Sequence, residues 1–402
     1  WGRCMDGAVY MAHPMSRTYL ADVHQRRIAY QYVYATPHFR DGRYGYWTDD
    51  GFHARNPERE SMDEFVYAWG KTRRNRPATA PKSPFVVLDR DQIWRHGDHL
   101  ETDNSWLDKG AAYASSITDV DNTAEEGLGY VYERCCLDGY VTPVVTDLKE
   151  LERLTPDKAE FVVLPPIVEG TPPETLAAIR RLHARGVNLL CSESVVGLED
   201  LFGVKSASPR KLGWVPGEPP FSHKLAIARY AADGAETVLA GAERAGGATD
   251  IPVILLNRPA TGGRTAFVNV PPTVVRRSPV REGYSLGQDT VSKRMSAAMT
   301  RVFAFLAERP ALRTERGSIA AAFTAKGDLV VIPSDDAPTY GDTDVYPVSF
   351  RFTVAIPGIG DAAIESDAPY SVVSREPDRL VIRTSTEKRG APFFVFRKKE
   401  GL

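Results

Sequence analysis

Four side chains near the start of the chain, two aromatic and two polar, are of types that line binding pockets. Tyr46 and Trp47 end a short aromatic stretch (RYGYW) that is typical of a β-strand. An aromatic ring there can stack on the apolar face of a sugar or serve as a core residue. His13 and Arg17 follow an apolar stretch (AVYMA), where they could bind hydroxyl groups or play a structural role. We predict that these four residues form the wall of a substrate pocket.

Cys191 is the candidate for a different chemistry, that of a cysteine nucleophile. It ends a predicted strand that follows a helix, the place where cysteine hydrolases carry the nucleophile on a strained turn. Such a turn usually needs flanking glycines, but Leu190 and Ser192 stand beside it. The later histidine, His223, lacks a His-x-Glu pair. A buried structural thiol is the simpler interpretation.

One polar segment, WRHGDHLETD, is a candidate metal site. It contains His96 and His99 together with Asp98 and Asp103, which are all residue types that bind metals. A solvated loop explains the same composition, and the four cysteines of the chain fall at no metal-ligand spacing. No glycine-rich phosphate loop is present in the sequence. We therefore predict neither a metal nor another cofactor.

Composition excludes several classes of protein. The chain has 402 residues, of which 43% are hydrophobic and 25% charged, as in globular proteins with two or three domains. The formal net charge of -2 gives no electrostatic footprint for nucleic acid. No apolar run reaches the roughly 18 residues of a membrane span. Four cysteines make no disulfide framework, which favours a reducing, cytoplasmic compartment.

Residues 1–80 have the pattern of the end of a (β/α)8 barrel. A strand, a helix, an aromatic strand, a long loop and a second helix follow one another. Two such steps cannot close a barrel, because they leave open strand edges and an uncovered face. We therefore expect the other strands of the barrel to precede Trp1. Residues 73–84 are rich in proline and alanine and are predicted to form a linker.

The remaining sequence predicts two further domains. In residues 81–309, continuous apolar runs alternate with amphipathic helices, such as residues 172–185 and 293–308, which indicates an α/β domain with a mostly parallel sheet. Residues 310–402 contain short alternating runs separated by Gly, Pro and Asp. This pattern predicts an antiparallel β-sandwich of about seven strands.

Three stretches of the chain resemble family 42 β-galactosidases and their relatives. They are RRIAYQYVYATPHFRDGRYGYW in the barrel segment, FVVLPPIVEGTPPETLAAIRRLHARGVNLLCSESVVGLEDLFGV, and LAIARYAADGAETVLAGA with the following IPVILLNRPATGGRTAFVNV. The resemblance implies the end of a catalytic barrel, a non-catalytic glutamine-amidotransferase-like domain and a terminal β-sandwich. It also implies a glycoside hydrolase that acts on a β-galactoside-like sugar and assembles as a homo-oligomer, possibly a trimer.

The carboxylates of that family cannot be placed on this chain. Retaining glycosidases need two carboxyl groups about 5 Å apart, and the first glutamate of the chain is Glu58. Asp49 and Asp50 follow Trp47, but adjacent side chains usually point apart, so a solvated turn is the simpler interpretation. We expect the catalytic pair upstream. Two alternatives stay open, namely a non-catalytic carbohydrate-binding or oligomerisation protein and a cysteine-dependent amidotransferase-like enzyme.

Overall fold

The computed structural model describes about half of the chain. The described residues are 3–4, 77–88, 131, 134–135, 138–216, 222–242, 248–269, 293–317, 319–333, 348–386 and 392–397. They divide into two compact units, one of Lys82–Arg134 with Pro143–Arg309 and the other of Trp1–Pro81, Cys135–Thr142 and Pro310–Leu402. Apart from the two-residue strand β1 (Arg3–Cys4) and residues 77–80, the predicted barrel segment of residues 1–80 lies outside the described residues. The three-part domain division stays a prediction.

The first unit, an α/β unit, is built on one mixed sheet. Its strands are β3 (Ser83–Leu88), β4 (Val144–Asp147), β5 (Ala159–Leu164), β6 (Leu189–Ser192), β7 (Val204–Pro216), β8 (Ser222–Ala232), β9 (Glu236–Ala242), β10 (Ala248–Asn257) and β11 (Thr265–Val268). Within the unit they lie in the order β4-β3-β5-β6-β11-β10-β9-β7-β8. Neighbours from β4 to β11 are parallel. These five parallel strands place their carboxyl ends along one edge.

Helices cover this sheet. Helix α1 (Pro173–Ala184) begins with proline in its first turn and connects β5 to β6. The short helix α2 (Glu199–Phe202) ends at Gly203, whose φ is 64°. Helix α3 (Lys293–Leu306) buries Met295, Met299, Val302 and Leu306, which recur at helical spacing. Because β5 is buried along its whole length, the continuous apolar run FVVL is the expected pattern of a strand covered on both faces.

The other half of the sheet is antiparallel. Strand β7 pairs with β8, β9 with β10 and β10 with β11, all antiparallel. The prediction of a mostly parallel sheet is therefore wrong for this half, although the predicted strands themselves are present. The physical reason is the connectivity: five residues join β7 to β8 and five join β9 to β10, and such short connections join antiparallel neighbours.

The second unit, a β unit, contains two antiparallel sheets. Its strands are β2 (Pro77–Thr79), β12 (Leu312–Thr314), β13 (Ile319–Thr324), β14 (Leu329–Pro333), β15 (Val348–Val354), β16 (Ala363–Ser366), β17 (Tyr370–Glu376), β18 (Arg379–Thr386) and β19 (Phe394–Arg397). One sheet has the order β12-β15-β18-β17, and the other has the order β16-β19-β14-β13-β2. Residues of both sheets share one buried core, in which the rings of Phe352 and Phe394 lie 4.9 Å apart. The predicted sandwich is thus present.

Segments distant in sequence complete the sandwich. Strand β2 lies in the predicted linker, yet it pairs with β13 through Thr79 and Phe323, so the linker prediction is wrong there. Residues 139–142 are also joined to it, because the Thr142 N–H donates to the Ile319 carbonyl at 2.8 Å and Thr314 N–H to Gly139 at 2.8 Å. The sandwich therefore has nine strands in the described residues, where the sequence predicted about seven.

Candidate functional site at the carboxyl ends of the parallel strands

The predicted sugar-binding wall falls in a part of the chain that the structure does not describe. Tyr46, Trp47, His13 and Arg17 all lie among residues 5–76, and the aspartates after Trp47 lie there too. The metal-site candidates around residues 96–103 are likewise outside the described residues. These predictions stay untested, and the candidate site described below is a different one.

The carboxyl ends of parallel strands are where α/β sheets bind ligands. The parallel strands have the order 2-1-3-4-5 along the chain, as in doubly wound folds whose sites lie at this edge. Here β5 ends before Pro165, β6 ends before Glu193 and β11 ends before Asn269. In the register of β6 with β11, Ser192 lies opposite Val268, which makes Glu193 and Asn269 the next pair along the two strands.

Cys191 lies inside this layer as a protonated, buried thiol. It is fully buried and belongs to β6, where it pairs with Phe267 of β11 and Leu164 of β5. Its thiol points to the carbonyl oxygens of Pro165 and Ser194, at 3.4 and 3.2 Å. Burial raises the pKa of the Cys191 thiol to about 12, so the thiolate needed for nucleophilic attack is essentially absent at neutral pH. The geometry contradicts the cysteine-nucleophile alternative.

The strained turn at the end of β6 centres on Glu193, two residues beyond the cysteine. Glu193 has a φ of 63°, and among the described residues it is the one non-glycine with positive φ. The Ser194 N–H donates to the Ser192 carbonyl at 2.7 Å, so three residues close a γ-turn. A non-glycine residue in this region costs about 1–3 kcal/mol and persists only where its surroundings hold it.

The surroundings hold this turn from several sides. The Glu193 N–H donates to the Val268 carbonyl at 2.8 Å, which extends the β6–β11 ladder by one bond. The Ser194 hydroxyl donates to the Ile167 carbonyl at 2.6 Å, and the Ile167 N–H donates back to the Ser194 carbonyl at 2.9 Å. The next N–H, of Val195, meets the Tyr230 hydroxyl at 3.3 Å. The turn is therefore fixed by the segment after β5, by β11 and by β8.

Acidic and neutral polar residues follow the central strands of this edge. Glu193 is buried, with 6% of its surface exposed, and Glu169 belongs to the exposed segment after β5. Ser192 and Asn269 are buried polar neighbours on β6 and after β11. Residues 164–169, 191–197 and 265–269, which are all described, contain no Lys, Arg or His. Acceptor groups therefore follow β5, β6 and β11, whereas a lysine, Lys149, follows β4.

Other polar groups of this unit serve the packing of its elements. His183 is buried in α1, and its Nε2 lies 2.8 Å from the Gly263 carbonyl oxygen. Burial lowers the pKa of His183 more than this hydrogen bond raises it, so the ring is neutral and Nε2–H donates. Arg264 donates to the Phe305 carbonyl at 2.8 Å and pairs with Glu308. The Gly-Gly-Arg segment, residues 262–264, is therefore explained by packing between elements and not by a chemical function.

Within the described residues, no group of three or more His, Cys, Asp or Glu side chains is placed to hold a metal ion. No described helix is long and apolar enough to cross a bilayer.

Sequence reasoning missed Glu193. The residue types around it, Cys-Ser-Glu-Ser, gave no indication of a left-handed backbone, because glycine or asparagine normally signals one. The prediction did place a strand end at Cys191, and this strand continues one residue further to Ser192. The strained backbone of Glu193 depends on contacts with the neighbouring strands, which the local sequence does not reveal.

Comparisons with known proteins find likeness in structure only. No family model and no curated protein sequence matches the chain significantly. A catalytic mutant of a family 42 β-galactosidase from G. stearothermophilus is 11% identical, with a TM-score of 0.46, over 87% of this chain and 45% of that one. An exo-β-1,4-mannosidase from an Opitutaceae bacterium is 15% identical, with a TM-score of 0.36, over 61% of this chain and 39% of that one.

A third structure covers a different share of its own length. A ThuA-like protein from Bacteroides uniformis is 8% identical, with a TM-score of 0.29, over 57% of this chain and 93% of that one. This chain thus spans less than half the length of the β-galactosidase and the mannosidase. No residue role or activity is carried over from any of these proteins.

Proposed function

We propose that this chain is part of a glycoside hydrolase of the β-galactosidase type, in which the α/β unit is a non-catalytic domain. The observation that carries the proposal is the state of Cys191. It is the residue that would make this unit a cysteine hydrolase, and it is buried and protonated in mid-strand. Since a buried, protonated thiol does not support cysteine-dependent catalysis in this unit, the sequence resemblance to family 42 β-galactosidases supports glycoside hydrolysis as the function of the larger protein.

The two glutamates that are buried in the described part of the α/β unit lie too far apart to act as a catalytic pair. Glu160 and Glu193 are the buried glutamates of this unit. The register of Val162 with Leu189 puts Glu160 level with residue 187, six positions before Glu193 (193 − 187 = 6). At roughly 3.3 Å per residue they are about 20 Å apart, whereas a retaining pair needs about 5 Å. We propose that the pair belongs to the barrel and is encoded upstream of residue 1.

The test is covalent trapping with the product of the whole reading frame. The protein is assayed on a panel of p-nitrophenyl glycosides and is then treated with the 2-deoxy-2-fluoro analogue of the best substrate. A retaining enzyme accumulates a glycosyl ester on its nucleophile, and peptide mass spectrometry locates it. We expect a glutamate in the segment before residue 1. No hydrolysis of any glycoside would contradict the function, and a label within residues 1–402 would contradict the placement.

Thiol alkylation is the matching control for the alternative chemistry. Iodoacetamide is added to the folded protein before the glycoside assay. Because the thiol of Cys191 is buried and protonated, we expect no loss of activity and no label on this residue. Inactivation that follows Cys191 labelling would restore the cysteine-enzyme alternative.

We propose within the same function that the protein is a homo-oligomer, with a trimer as the first hypothesis. An assembly role suits a unit whose one candidate nucleophile is inert, and oligomers are usually symmetric and closed. Light scattering behind a sizing column gives the mass directly. For the 44.4 kDa chain a trimer has 3 × 44.4 = 133.2 kDa. A mass of one chain at micromolar concentration would contradict the proposal.

A further inference from the structure

The outer face of the sheet β12-β15-β18-β17 in the β unit is rich in arginine. Burial alternates residue by residue along β15, so Phe350, Phe352 and Val354 face the core and the residues between them face solvent. The same alternation holds on β12 and β18. The exposed arginines on the solvent side of these three strands are Arg313, Arg351, Arg379 and Arg383. This surface, here called the arginine face, has no part in the proposed hydrolysis.

Two of these arginines are direct cross-strand neighbours. Arg351 of β15 is in register with Arg383 of β18, so their Cβ atoms are about 5 Å apart. Like charges directly opposite one another destabilise a sheet. Arg313 of β12 is in register with Thr353, which makes it a diagonal neighbour of Arg351 at roughly 7–8 Å. Three cations therefore lie on three adjacent strands in spite of their mutual repulsion.

Two glutamates compensate part of this charge. The Nε of Arg351 lies 3.6 Å from Glu315, and this carboxylate also accepts the Arg351 backbone N–H at 3.2 Å. Arg379 pairs with Glu376 of β17 at 3.5 Å. Four arginines and two glutamates leave a surplus of two positive charges on the arginine face (4 − 2 = 2).

The surplus belongs to Arg313 and Arg383. Within the described residues, the side chain of Arg383 makes no hydrogen bond or ion pair. The guanidinium of Arg313 lies over the Tyr140 ring, 5.3 Å from its centre, and has no carboxylate partner in the described part of the chain. Because both side chains are exposed, their N–H groups are available to a ligand.

We propose that the arginine face binds an acidic polysaccharide, whose carboxylates pair with Arg313, Arg351 and Arg383. The choice of a sugar polymer rests on the proposed function, whereas the location and the charge preference rest on the arginines. The planar guanidinium group matches a carboxylate in bidentate geometry. A carboxylate bound between Arg351 and Arg383 compensates the like-charge pair that the free protein leaves unbalanced.

The shape and the hydroxyl groups of the face narrow the ligand class. The three cations are spread over three strands on one side of a sheet, so an extended chain reaches all of them and a small molecule does not. Each arginine of the surplus also has a hydroxyl residue as its cross-strand neighbour, Thr353 beside Arg313 and Ser371 beside Arg383. Such hydroxyls donate to and accept from the hydroxyls of a sugar.

The face offers no stacking platform. The exposed aromatic residue of this sheet is Tyr370, which is in register with the buried Thr384 and so belongs to the core side. Tyr140 is buried, with 1% exposure, and Arg313 lies over it. Proteins that bind single-stranded nucleic acid combine charge with aromatic stacking. Charge pairing with hydroxyl hydrogen bonds and without stacking favours an acidic sugar polymer over nucleic acid.

A pair of matched polymers tests the ligand class. Polygalacturonate carries one carboxylate on each sugar, and its fully methyl-esterified form has the same chain without the charge. Calorimetric titration of the wild-type chain at low ionic strength should show polygalacturonate binding at least about tenfold tighter than the ester. No binding of polygalacturonate, or equal binding of both polymers, overturns the proposal.

Variants of the like-charge pair test the location. Arg351→Gln combined with Arg383→Gln removes both charges, so polygalacturonate binding should weaken at least about tenfold. Arg383→Gln alone, which removes no side-chain bond of the described residues, should weaken it in the same direction. Arg309→Gln, at an exposed arginine of the α/β unit, is the matched control and should bind as the wild type does. Unchanged binding in the first two variants, or an equal loss in the control, overturns the proposal.

A third probe and the glycosidase assay separate the remaining readings. If the same arginines bind duplex DNA as tightly as polygalacturonate, the face is a general polyanion surface and the assignment to an acidic sugar is overturned. Hydrolysis of aryl glycosides without polygalacturonate binding contradicts this inference alone. Binding that depends on Arg351 and Arg383 in a protein that hydrolyses no glycoside contradicts the hydrolase function alone.

Discussion

Single residues of the α/β unit show how burial decides chemistry. Cys191 has a reactive type but an inert environment, because desolvation keeps its thiol protonated. Glu193, two positions later, has no motif around it, yet its backbone is the strained one. Judged by residue type alone, Cys191 is the stronger candidate for a functional site. Judged by burial and backbone conformation, Glu193 is the stronger one. Candidate sites are therefore better ranked by burial and backbone than by residue type.

His183 makes stability depend on pH at the residue scale. Its pKa is lowered from 6.5 in the folded state, chiefly by burial, while the unfolded ring titrates near 6.5. Below pH 6.5 the His183 ring binds a proton in the unfolded chain, whereas the buried ring of the folded chain stays neutral. Stability is thus complete above pH 6.5 and falls as the pH drops towards the folded pKa, by at most about 1.4 kcal/mol per pH unit.

Urea unfolding at pH 7.5 and at pH 5.5 measures this loss. His183→Gln, whose side-chain amide can also donate to the Gly263 carbonyl, is the control that does not titrate. We expect the wild type to lose more unfolding free energy between the two pH values than the variant does. Equal losses would mean that the buried ring does not resist protonation.

At the scale of elements, periodicity predicted most of what the structure describes. The apolar run before Pro165 became β5, and the amphipathic segment with proline in its first turn became α1. Such elements follow from local patterns. The antiparallel pairing of β7 to β10 did not, because pairing depends on which strands meet in three dimensions. For the same reason, Pro77–Thr79 was predicted as a linker, since proline favours edge strands and linkers alike.

The candidate site was predictable to a smaller extent. The sequence placed a strand end at Cys191 and a ligand-binding edge follows from parallel strands, but the positive φ of Glu193 has no local signal. It results from bonds to Ile167 and Val268, which lie 26 and 75 positions away in the sequence (193 − 167 = 26; 268 − 193 = 75). Tertiary contacts that override local preference cannot be read from one window of sequence.

The turn before β11 docks against the end of α1, and Gly262 makes this close approach possible. Gly262 has a φ of 86°, and a Cβ there would lie 2.5 Å from the His183 ring. Gly170 has the same φ, but a Cβ there would meet nothing within 4 Å. Comparing an alanine substitution at Gly262 with one at Gly170 therefore separates the cost of backbone strain from the cost of a steric clash.

We expect Gly262→Ala to destabilise the protein more than Gly170→Ala. Both variants bear the left-handed penalty of about 1 kcal/mol. Gly262→Ala must in addition displace a buried ring, which costs a further 1–3 kcal/mol or so, as overpacking does. Chemical unfolding of the two variants measures the difference. Equal losses would show that α1 and the turn are not in close contact.

At the scale of the whole molecule, the sandwich is not a contiguous piece of sequence. Gly139 approaches Thr314 so closely that a Cβ would lie 1.9 Å from its carbonyl oxygen, and Arg313 lies 5.3 Å from the centre of the Tyr140 ring. Tyr140 and Val141 are buried in this unit, with 1% and 3% exposure. Strand β2 adds a further edge to the five-stranded sheet. The C-terminal residues therefore rely on segments that precede them by well over a hundred positions.

Fragments of the chain test this dependence. A fragment of residues 310–402 lacks β2, Tyr140 and Val141, and burial of each large apolar side chain contributes about 1.5–3 kcal/mol. Since a domain is stable by only about 5–15 kcal/mol, this loss is a large fraction of the total. We expect residues 310–402 to be unfolded by circular dichroism and to lack dispersed amide resonances, whereas residues 77–402 keep the cooperative unfolding of the full chain. A well-dispersed spectrum from the short fragment would show that the sandwich stands without its distant segments.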